Sequence, residues 1–566
     1  MKLIALNVGS KKGFLLFAYM AFMLVLIISS CKTTSREVSD ADGAMFEKAL
    51  QNGWVANEGF IRSENYMKAW LAHADPETKL VPRRLFGFDK DIWNAQDCAA
   101  DNYPFLVLTS FFTDRDIYEG LMEEMLENEI RLTSRVKSMP DTYSFSKHGY
   151  LHDSVSMDRI IFGTSEYMKD GLLPLTEWLG HSAWSERMIT MLNDLDSYLN
   201  VATEFDNEGF GNSPTAEVNG ELLQTLSRVY WMTGDKKFLD WAVEIGDHFL
   251  LGDGYPLRGF KYLKLRDHGC ELVAGLCELY VTLHFADKEK KAVYKEPLYG
   301  LLDYILRHGR NEDGLFYNAI NPQTAEILDE MLADTWGYTL NGYYDVHLVD
   351  TVARYRNAVS AIFESLDRYH NFNWENNGAD GYADAIEGAL NLYNRLTDER
   401  AADWIDAEIQ VMWSMQDSSH RENAQQWKES GIIEGWYGDG NFARTTIMYN
   451  LWKSKGTYVH PWKKEVTLGA ETRGDSLYIV LQSQKPWDGK LFFDQARHTI
   501  QMNLPIDWPR INQFPEWYTV VPSAKYELVE IESGISRTIG GDALLNGLAT
   551  TLSENETKRF LLLALK

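Results

Sequence analysis

The stretch Glu217-Val218-Asn219-Gly220-Glu221-Leu222-Leu223-Gln224-Thr225-Leu226-Ser227-Arg228-Val229-Tyr230 reads as one helix, because Val218, Leu222, Leu226 and Val229 recur at helical spacing. It follows the polar turn Gly211-Asn212-Ser213-Pro214 and precedes a second helix, over 237–250, whose apolar residues keep to one side. From about residue 95 to 455 this theme returns without repeating letters. The further openings are Asp101-Asn102-Tyr103-Pro104, Gly163-Thr164-Ser165-Glu166, Asp267-His268-Gly269, Asp334-Thr335-Trp336-Gly337, Asp380-Gly381-Tyr382 and Gly438-Asp439-Gly440-Asn441. Their spacing, roughly 45 to 65 residues, suits one helical hairpin and a variable loop each. The stretches 270–280 and 385–393 repeat the first helix type, and 400–412 repeats the one-sided type. Apolar helices containing Gly and Ala, alternating with amphipathic ones, describe inner helices buried on most sides and outer helices facing water. Closed into a ring, that is a mainly α fold, an α/α toroid. A linear helical solenoid is the structural rival, and the long polar loops before each inner helix, which a ring gathers at one mouth, favour the toroid.

After Lys455 the stretches 458–466, 476–481, 490–494, 499–504, 525–532 and 560–565 are short and rich in β-branched or aromatic residues, with turn residues between them. The expected organisation is therefore a toroid over 45–456 and a smaller C-terminal antiparallel β-sandwich over 457–566. Ahead of both, Lys2, Lys11 and Lys12 precede an apolar run from Phe14 to Ile28 that ends at Ser29-Ser30-Cys31. A basic start, a short apolar run and small residues before a cleavage point form a secretory signal over 1–30. Cys31 at the first mature position looks like a bacterial lipoprotein signal, in which the thiol is acylated, and 31–44 then reads as a tether. An ordinary signal peptide is the plainer alternative. The run is too short and too early for a lasting membrane span. The expected location is the outer membrane of a Gram-negative cell, by lipid anchor.

The whole chain has a formal charge of −27, and loss of 1–30 leaves 52 basic against 82 acidic residues. Such a surface repels nucleic acid, and repels a polyanionic glycan unless cations cluster locally. Besides Cys31 there are Cys98, Cys270 and Cys277. The last two sit seven apart on one helix, a rise of roughly 10 Å, too far for a bridge. Buried thiols are expected, without disulfides. The 18 Trp and 29 Tyr supply stacking faces for sugar rings or fill a helical core.

A toroid directs the free N–H groups of its inner helices at one funnel. Acids at those openings are either helix caps or chemistry. Asp334, Trp336 and Tyr338 fall within about a turn of one another, and Trp436, Asp439 and Arg444 share one glycine-rich turn, a mixture that suits a sugar site. Glycoside hydrolysis needs a protonated acid at the leaving oxygen and a carboxylate that activates water or attacks the ring. Asp334 and Asp439 are the first pair by this reasoning, with Glu217, Glu271 and Asp101 in reserve. His268, next to Asp267, is the most suggestive histidine, and His148 and His152 flank Tyr150 on a loop suited to the mouth. A histidine with a tyrosine would serve a polysaccharide lyase, with Arg159, Arg266 and Arg444 neutralising a uronate carboxylate. His148 and His152 lack the glutamate of a zincin pattern, and no metal or other cofactor is expected. No phosphate loop, dinucleotide fingerprint or nucleophile elbow appears.

The tract Glu434-Gly435-Trp436-Tyr437-Gly438-Asp439-Gly440-Asn441-Phe442-Ala443-Arg444, then Tyr449 and Trp508-Pro509-Arg510-Ile511-Asn512-Gln513-Phe514-Pro515-Glu516-Trp517, resembles the six-hairpin glycosidase superfamily. More narrowly it is similar to lipoproteins encoded with polysaccharide-degrading enzymes and to the β-glucuronidases of glycoside hydrolase family 154. The resemblance implies an (α/α)6 toroid acting on uronic-acid glycans of plants or algae. Seven openings stand against six hairpins, so either one is false or a hairpin is extra. A glycoside hydrolase is the leading expectation, with a lyase of similar architecture and a noncatalytic glycan-binding lipoprotein as alternatives. Expected partners are a polysaccharide or its oligosaccharides and the membrane; the number of subunits stays open.

Overall fold

The computed structural model describes residues 39–85, 87–198, 213–266, 268–417, 431 and 440–565. In chain order its long helices are α1 (Asp40–Leu71), α2 (Tyr103–Thr113), α3 (Glu123–Thr133), α4 (Met157–Glu166), α5 (Leu173–Leu179), α6 (Ala183–Asp196), α7 (Ser213–Thr233), α8 (Lys236–Leu250), α9 (His268–Ala286), α10 (Lys288–His308), α11 (Trp336–Asp350), α12 (Ala353–Phe363), α13 (Ala379–Arg395), α14 (Glu399–Asp417) and α15 (Asn441–Lys453). A π-helical turn, Ala95–Asn102, leads into α2, and another, Tyr167–Leu172, joins α4 to α5 as one rod.

Burial separates these helices into two layers. In α2 and α11 almost every side chain is buried, whereas α8 buries Phe238, Trp241, Ala242, Ile245 and Phe249 along one stripe. By its composition Gly269–Ala286 is apolar enough to cross a membrane, yet it lies mostly buried inside the protein. Inner helices approach closely where both carry glycine. A Cβ on Gly388 of α13 would lie 2.6 Å from the Gly337 Cα of α11, and one on Gly275 of α9 would lie 2.6 Å from the Gly220 carbonyl oxygen of α7. The last inner helix returns to the first: the place of a Cβ on Gly440 is filled by the Asp101 carbonyl, and the Arg444 guanidinium lies 5.8 Å from the Phe105 ring. That closure makes the array a ring and removes the solenoid alternative. The openings at 101–104, 334–337 and 380–382 lead into inner helices, whereas Gly163-Thr164-Ser165-Glu166 lies inside the rod 157–179 and starts no helix.

The C-terminal part contains a five-stranded antiparallel sheet, in spatial order Val466–Arg473, Ser476–Ser483, Glu556–Leu565, Lys525–Glu530 and Ile535–Gly540, and a three-stranded one of Leu548–Leu552, Trp487–Phe492 and Tyr458–His460. Helix α1 lies on the larger sheet, where Asn52 donates to the Ala470 carbonyl at 2.9 Å and the Phe46 ring meets Tyr478 edge-on. Because α1 begins at Asp40, capped by Ser39, residues 40–44 of the expected tether are folded. The stretch 499–504, expected as a strand, is instead a helical turn at Arg497–Ile500 followed by Asn503 at φ 54°. Cys98, Cys270 and Cys277 are buried free thiols, as expected.

The turn at 497–500 departs from strand geometry because it opens a long excursion. Asp494 and Thr519 form an isolated bridge at its base, and the chain between them leaves the sheets and enters the toroid. Its tip is buried: Trp508, Arg510, Ile511 and Asn512 are each at most 2% exposed. The Arg510 side chain reaches Glu177 at 3.2 Å, and Arg228 of α7 donates to both oxygens of Glu278 at 2.7 and 2.9 Å. Arg228 also lies 3.2 Å from Glu177 and donates to the Ile511 carbonyl at 3.4 Å, while the Trp508 indole donates to Glu278 at 3.1 Å. Burial raises the Glu177 carboxyl, but the Arg510 and Arg228 charges outweigh it and hold the group below its ordinary range. Removing one partner of a buried ion pair leaves a charge without compensation, at a cost of about 3–5 kcal/mol. Arg510→Met should therefore lower unfolding stability by about 3 kcal/mol in urea titration, and Glu177→Gln in the same chain should restore part of it. Wild-type stability for Arg510→Met would show that the excursion is not held by this pair.

Candidate active site

At one end of the ring the inner helices bring carboxylates from separated parts of the chain onto one continuous network. Lys169, on the π-helical turn before α5, donates to Asp170 and to Glu271 of α9, both at 2.7 Å. Gln224 of α7 donates to the other Glu271 oxygen at 2.5 Å. Asn512 donates to Asp170 Oδ1 at 2.5 Å and accepts from Arg444 Nη1 at 3.0 Å. Arg444 Nη2 donates to Asp384 at 2.7 Å, its Nη1 donates to Asn441 at 2.8 Å, and its Nε lies 2.9 Å from Glu387. Asn441 in turn donates to Asp380 at 2.6 Å. This chain of contacts links the second π-helical turn, α7, α9, α13 and α15 to the C-terminal excursion. Alongside it Arg266 touches Glu375 and lies 3.4 Å from Asp334.

Acid outnumbers base here, and the electrostatics divide the acids into kinds. Asp101, at the end of the first π-helical turn, is raised well above the ordinary carboxylate range by burial and then by the charges of Asp170, Asp97 and Asp380. Asp170 itself sits between the Lys169 ammonium and the Asn512 amide, donors that suit a carboxylate anion. Burial and the Asp380 charge likewise push Asp384 up strongly. Glu375, on the turn Trp374–Asn377 before α13, is pushed up to about 10 by burial and the neighbouring Asp380 and Asp334. Its backbone sits at φ 43°, and strained positions of this kind gather at functional sites. Two titrating groups whose surroundings push their proton affinities apart are the signature of an acid and its complementary carboxylate. Asp101 is the raised member, and Asp170, bonded by the Lys169 ammonium and the Asn512 amide, is the leading charge acting on it.

A second group lies beside them. Carboxylate oxygens of Glu166, Glu217 and Glu221 fall within 4.8 Å of one another, a spacing that a divalent cation could take. Glu166 and Glu221 are both raised well above the ordinary range, chiefly by burial, then by Glu221 and by Asp170 respectively. The other three-acceptor set, His498, Asp507 and Glu516, is already occupied by its own pairs: His498 with Glu516 at 2.9 Å and Asp507 with Arg395 at 2.7 Å.

The residues expected from sequence are distributed unevenly. Asp101, Glu217, Glu271, Asp334 and Arg444 all belong to this end of the ring. Asp334 is buried, lies 3.4 Å from Arg266 and accepts from the Thr335 N–H at 2.9 Å. Trp336 is a correction: it is fully buried against Trp404, a core ring without a face for sugar. Tyr338 is likewise buried, its hydroxyl 2.9 Å from Asp384 and 2.7 Å from Glu387. Arg159 is held bidentately by Asp141 at 2.8 and 3.0 Å, and exposed His148 faces Glu77 at 3.6 Å; no described contact joins either to the acids of the pit. His268 opens α9, but its side chain is outside the description, as are Cys31, Trp436 and Asp439. Asp170, Asp384, Glu375 and Asn512 went unforeseen. Asp170 and Asp384 lie one turn or more into their helical segments, while Asn512 comes from another domain.

No family model matches the sequence, and no curated protein matches it. Among solved structures the chain is similar to a family 76 glycoside hydrolase, a mannosidase, from Bacteroides thetaiotaomicron, at 12% identity and a TM-score of 0.36 over 70% of this chain and 98% of that one. A cellobiose 2-epimerase from Bacillus thermoamylovorans gives 13% and 0.35 over 51% and 87%. A family 127 β-L-arabinofuranosidase from Geobacillus stearothermophilus gives 11% and 0.34 over 72% of each chain. Likenesses this remote carry no chemistry across to the present chain.

Proposed function

We propose that the protein is a glycoside hydrolase in which Asp101 is the general acid and Asp170 the complementary carboxylate. The observation that carries the reading is the difference in surroundings: Asp101 is raised well above the ordinary carboxylate range by burial and neighbouring acids, whereas Asp170 accepts from the Lys169 ammonium at 2.7 Å and the Asn512 amide at 2.5 Å. Asp101, kept protonated, gives its proton to the glycosidic oxygen as the bond to the anomeric carbon breaks, and Asp170 attacks that carbon or takes a proton from the water that does. No described tyrosine–histidine pair stands at these acids, so the lyase alternative gains no support from the geometry. Asp101→Asn and Asp170→Asn should each lower kcat on an oligosaccharide by about 10²-fold or more. Asp101→Asn should keep more activity on a 4-nitrophenyl glycoside, whose leaving group needs no proton, whereas Asp170→Asn should not. Near wild-type rates for both variants would overturn the assignment, and a product absorbing near 230 nm would point to elimination.

The sequence resemblance adds a uronic-acid glycan as substrate. A uronate carboxylate needs a cation, and Arg266, a half-buried guanidinium beside Glu375 and 3.4 Å from Asp334, is the group assigned to that contact. Arg266→Ala should lower kcat/KM on a uronic-acid oligosaccharide by about 10-fold to 10²-fold and change a neutral oligosaccharide far less, matching the loss of one charged hydrogen bond. Equal losses on both would remove the uronate from the proposal. The lipid anchor belongs to the same proposal, since it would hold the pit at the cell envelope. An alkyne fatty acid fed to cells should label the wild type and fail to label Cys31→Ser; labelling of both would refute it.

A further inference from the structure

We infer that the C-terminal β-domain completes the active site, with Asn512 as a positioning residue that aligns Asp170 by a donated hydrogen bond and Arg444 by an accepted one. The inference rests on the reading of Asp170 as the reacting carboxylate. Asn512 is 2% exposed and satisfies three partners: its backbone N–H donates to Glu387 at 2.6 Å, its Nδ2 to Asp170 at 2.5 Å, and its Oδ1 accepts from Arg444 at 3.0 Å. The amide orientation is decided by chemistry, because a guanidinium only donates and a carboxylate anion only accepts.

The position also demands a particular backbone. Asn512 sits at φ 61°, a left-handed conformation that Gly, Asn and Asp adopt readily and bulkier residues do not. Gly offers neither donor nor acceptor. Asp would accept from Arg444 but would set a second anion against Asp170 and Glu387. Asparagine alone among the three meets both partners. The residue cannot drift, since Arg510 two places earlier is paired with Glu177 and the carbonyl of Ile511 accepts from Arg228. The described groups acting on Asp170 are Lys169 on its own turn, Glu166 on α4, Asp101 on the first π-helical turn, Glu221 on α7, Glu271 on α9, and Asn512 from the other domain. Deleting the Asn512 amide removes one of the two donors bonded to Asp170, and a donated hydrogen bond favours the charged form of a carboxylate.

The test uses the full chain and 4-nitrophenyl β-D-glucuronide, whose leaving group bypasses Asp101 and isolates Asp170, with a glucuronic-acid oligosaccharide as second probe. Asn512→Gly keeps the backbone N–H and the left-handed φ and deletes only the amide. It should lower kcat by about 10-fold to 10²-fold, the loss of one hydrogen bond to a charged group, with KM little changed. The acid limb of its kcat/KM profile should move to higher pH, a shift that a purely structural role would not produce. Asn512→Asp keeps φ and the acceptor for Arg444 but loses the donor, so it should show the same loss or more. Wild-type kcat and pH profile in Asn512→Gly or Asn512→Asp, with Asp170→Asn inactive, would overturn the role of Asn512. Wild-type activity in Asp170→Asn would instead overturn the reading of Asp170, and a wild type inert toward both probes would overturn the hydrolase itself.

Discussion

Two buried guanidinium groups hold this molecule in its working form. Arg228 belongs to an inner helix and Arg510 to an excursion of the C-terminal domain, and both meet Glu177, while Arg228 also grips Glu278. Arg228, Arg510 and Arg395 stand against Glu177, Glu278 and Asp507, a balance that makes so much buried charge tolerable. Asp345, a further acid in this region, has burial and the Glu278 charge pushing its carboxyl well above the ordinary range, so it adds no uncompensated anion. Without this cluster the excursion would have no reason to leave its sheets, and Asn512 would have no reason to stand beside Asp170.

The ring supplies the other constraint. Glycines at Gly220, Gly275, Gly337 and Gly388 let inner helices pack with backbone against backbone, which draws their starts toward one another. Carboxylates projecting from those starts then repel, and their mutual charge together with burial raises several of them. Lys169 and Arg444 oppose that rise, yet burial still leaves Glu271, Asp384 and Glu387 above their ordinary range beside these cations. The difference between Asp101 and Asp170 is thus a property of what each side chain touches, since both are aspartates on π-helical turns of adjacent rods. Such turns insert an extra residue into the helix and are found frequently at functional sites.

Helical periodicity, the change of character after Lys455 and the glycine- or acid-rich openings made the ring and the trailing β-domain legible in one dimension. Local residue type and spacing decide helix and strand, and Asp101, Glu217 and Arg444 announced themselves by lying at openings. Trp336 misled for the same reason: proximity to Asp334 along the chain says nothing about which way a ring faces, and this one faces Trp404. Asp170 and Asp384 were passed over because an acid inside a helical run reads as a solvated face. The stretch 499–504 was misread because β-branched and apolar residues also serve a segment that inserts into another domain.

What the amino-acid sequence determined by itself, then, is the alternation of inner and outer helices and the pool of acids at one end of them, because both follow from short-range pattern. Which acid carries a proton, which arginine is engaged and which residue of the β-domain reaches the pit were decided only by the tertiary structure. Those properties depend on distances between groups 68 to 342 residues apart, and ring closure and the buried Arg228 and Arg510 pairs are what set those distances.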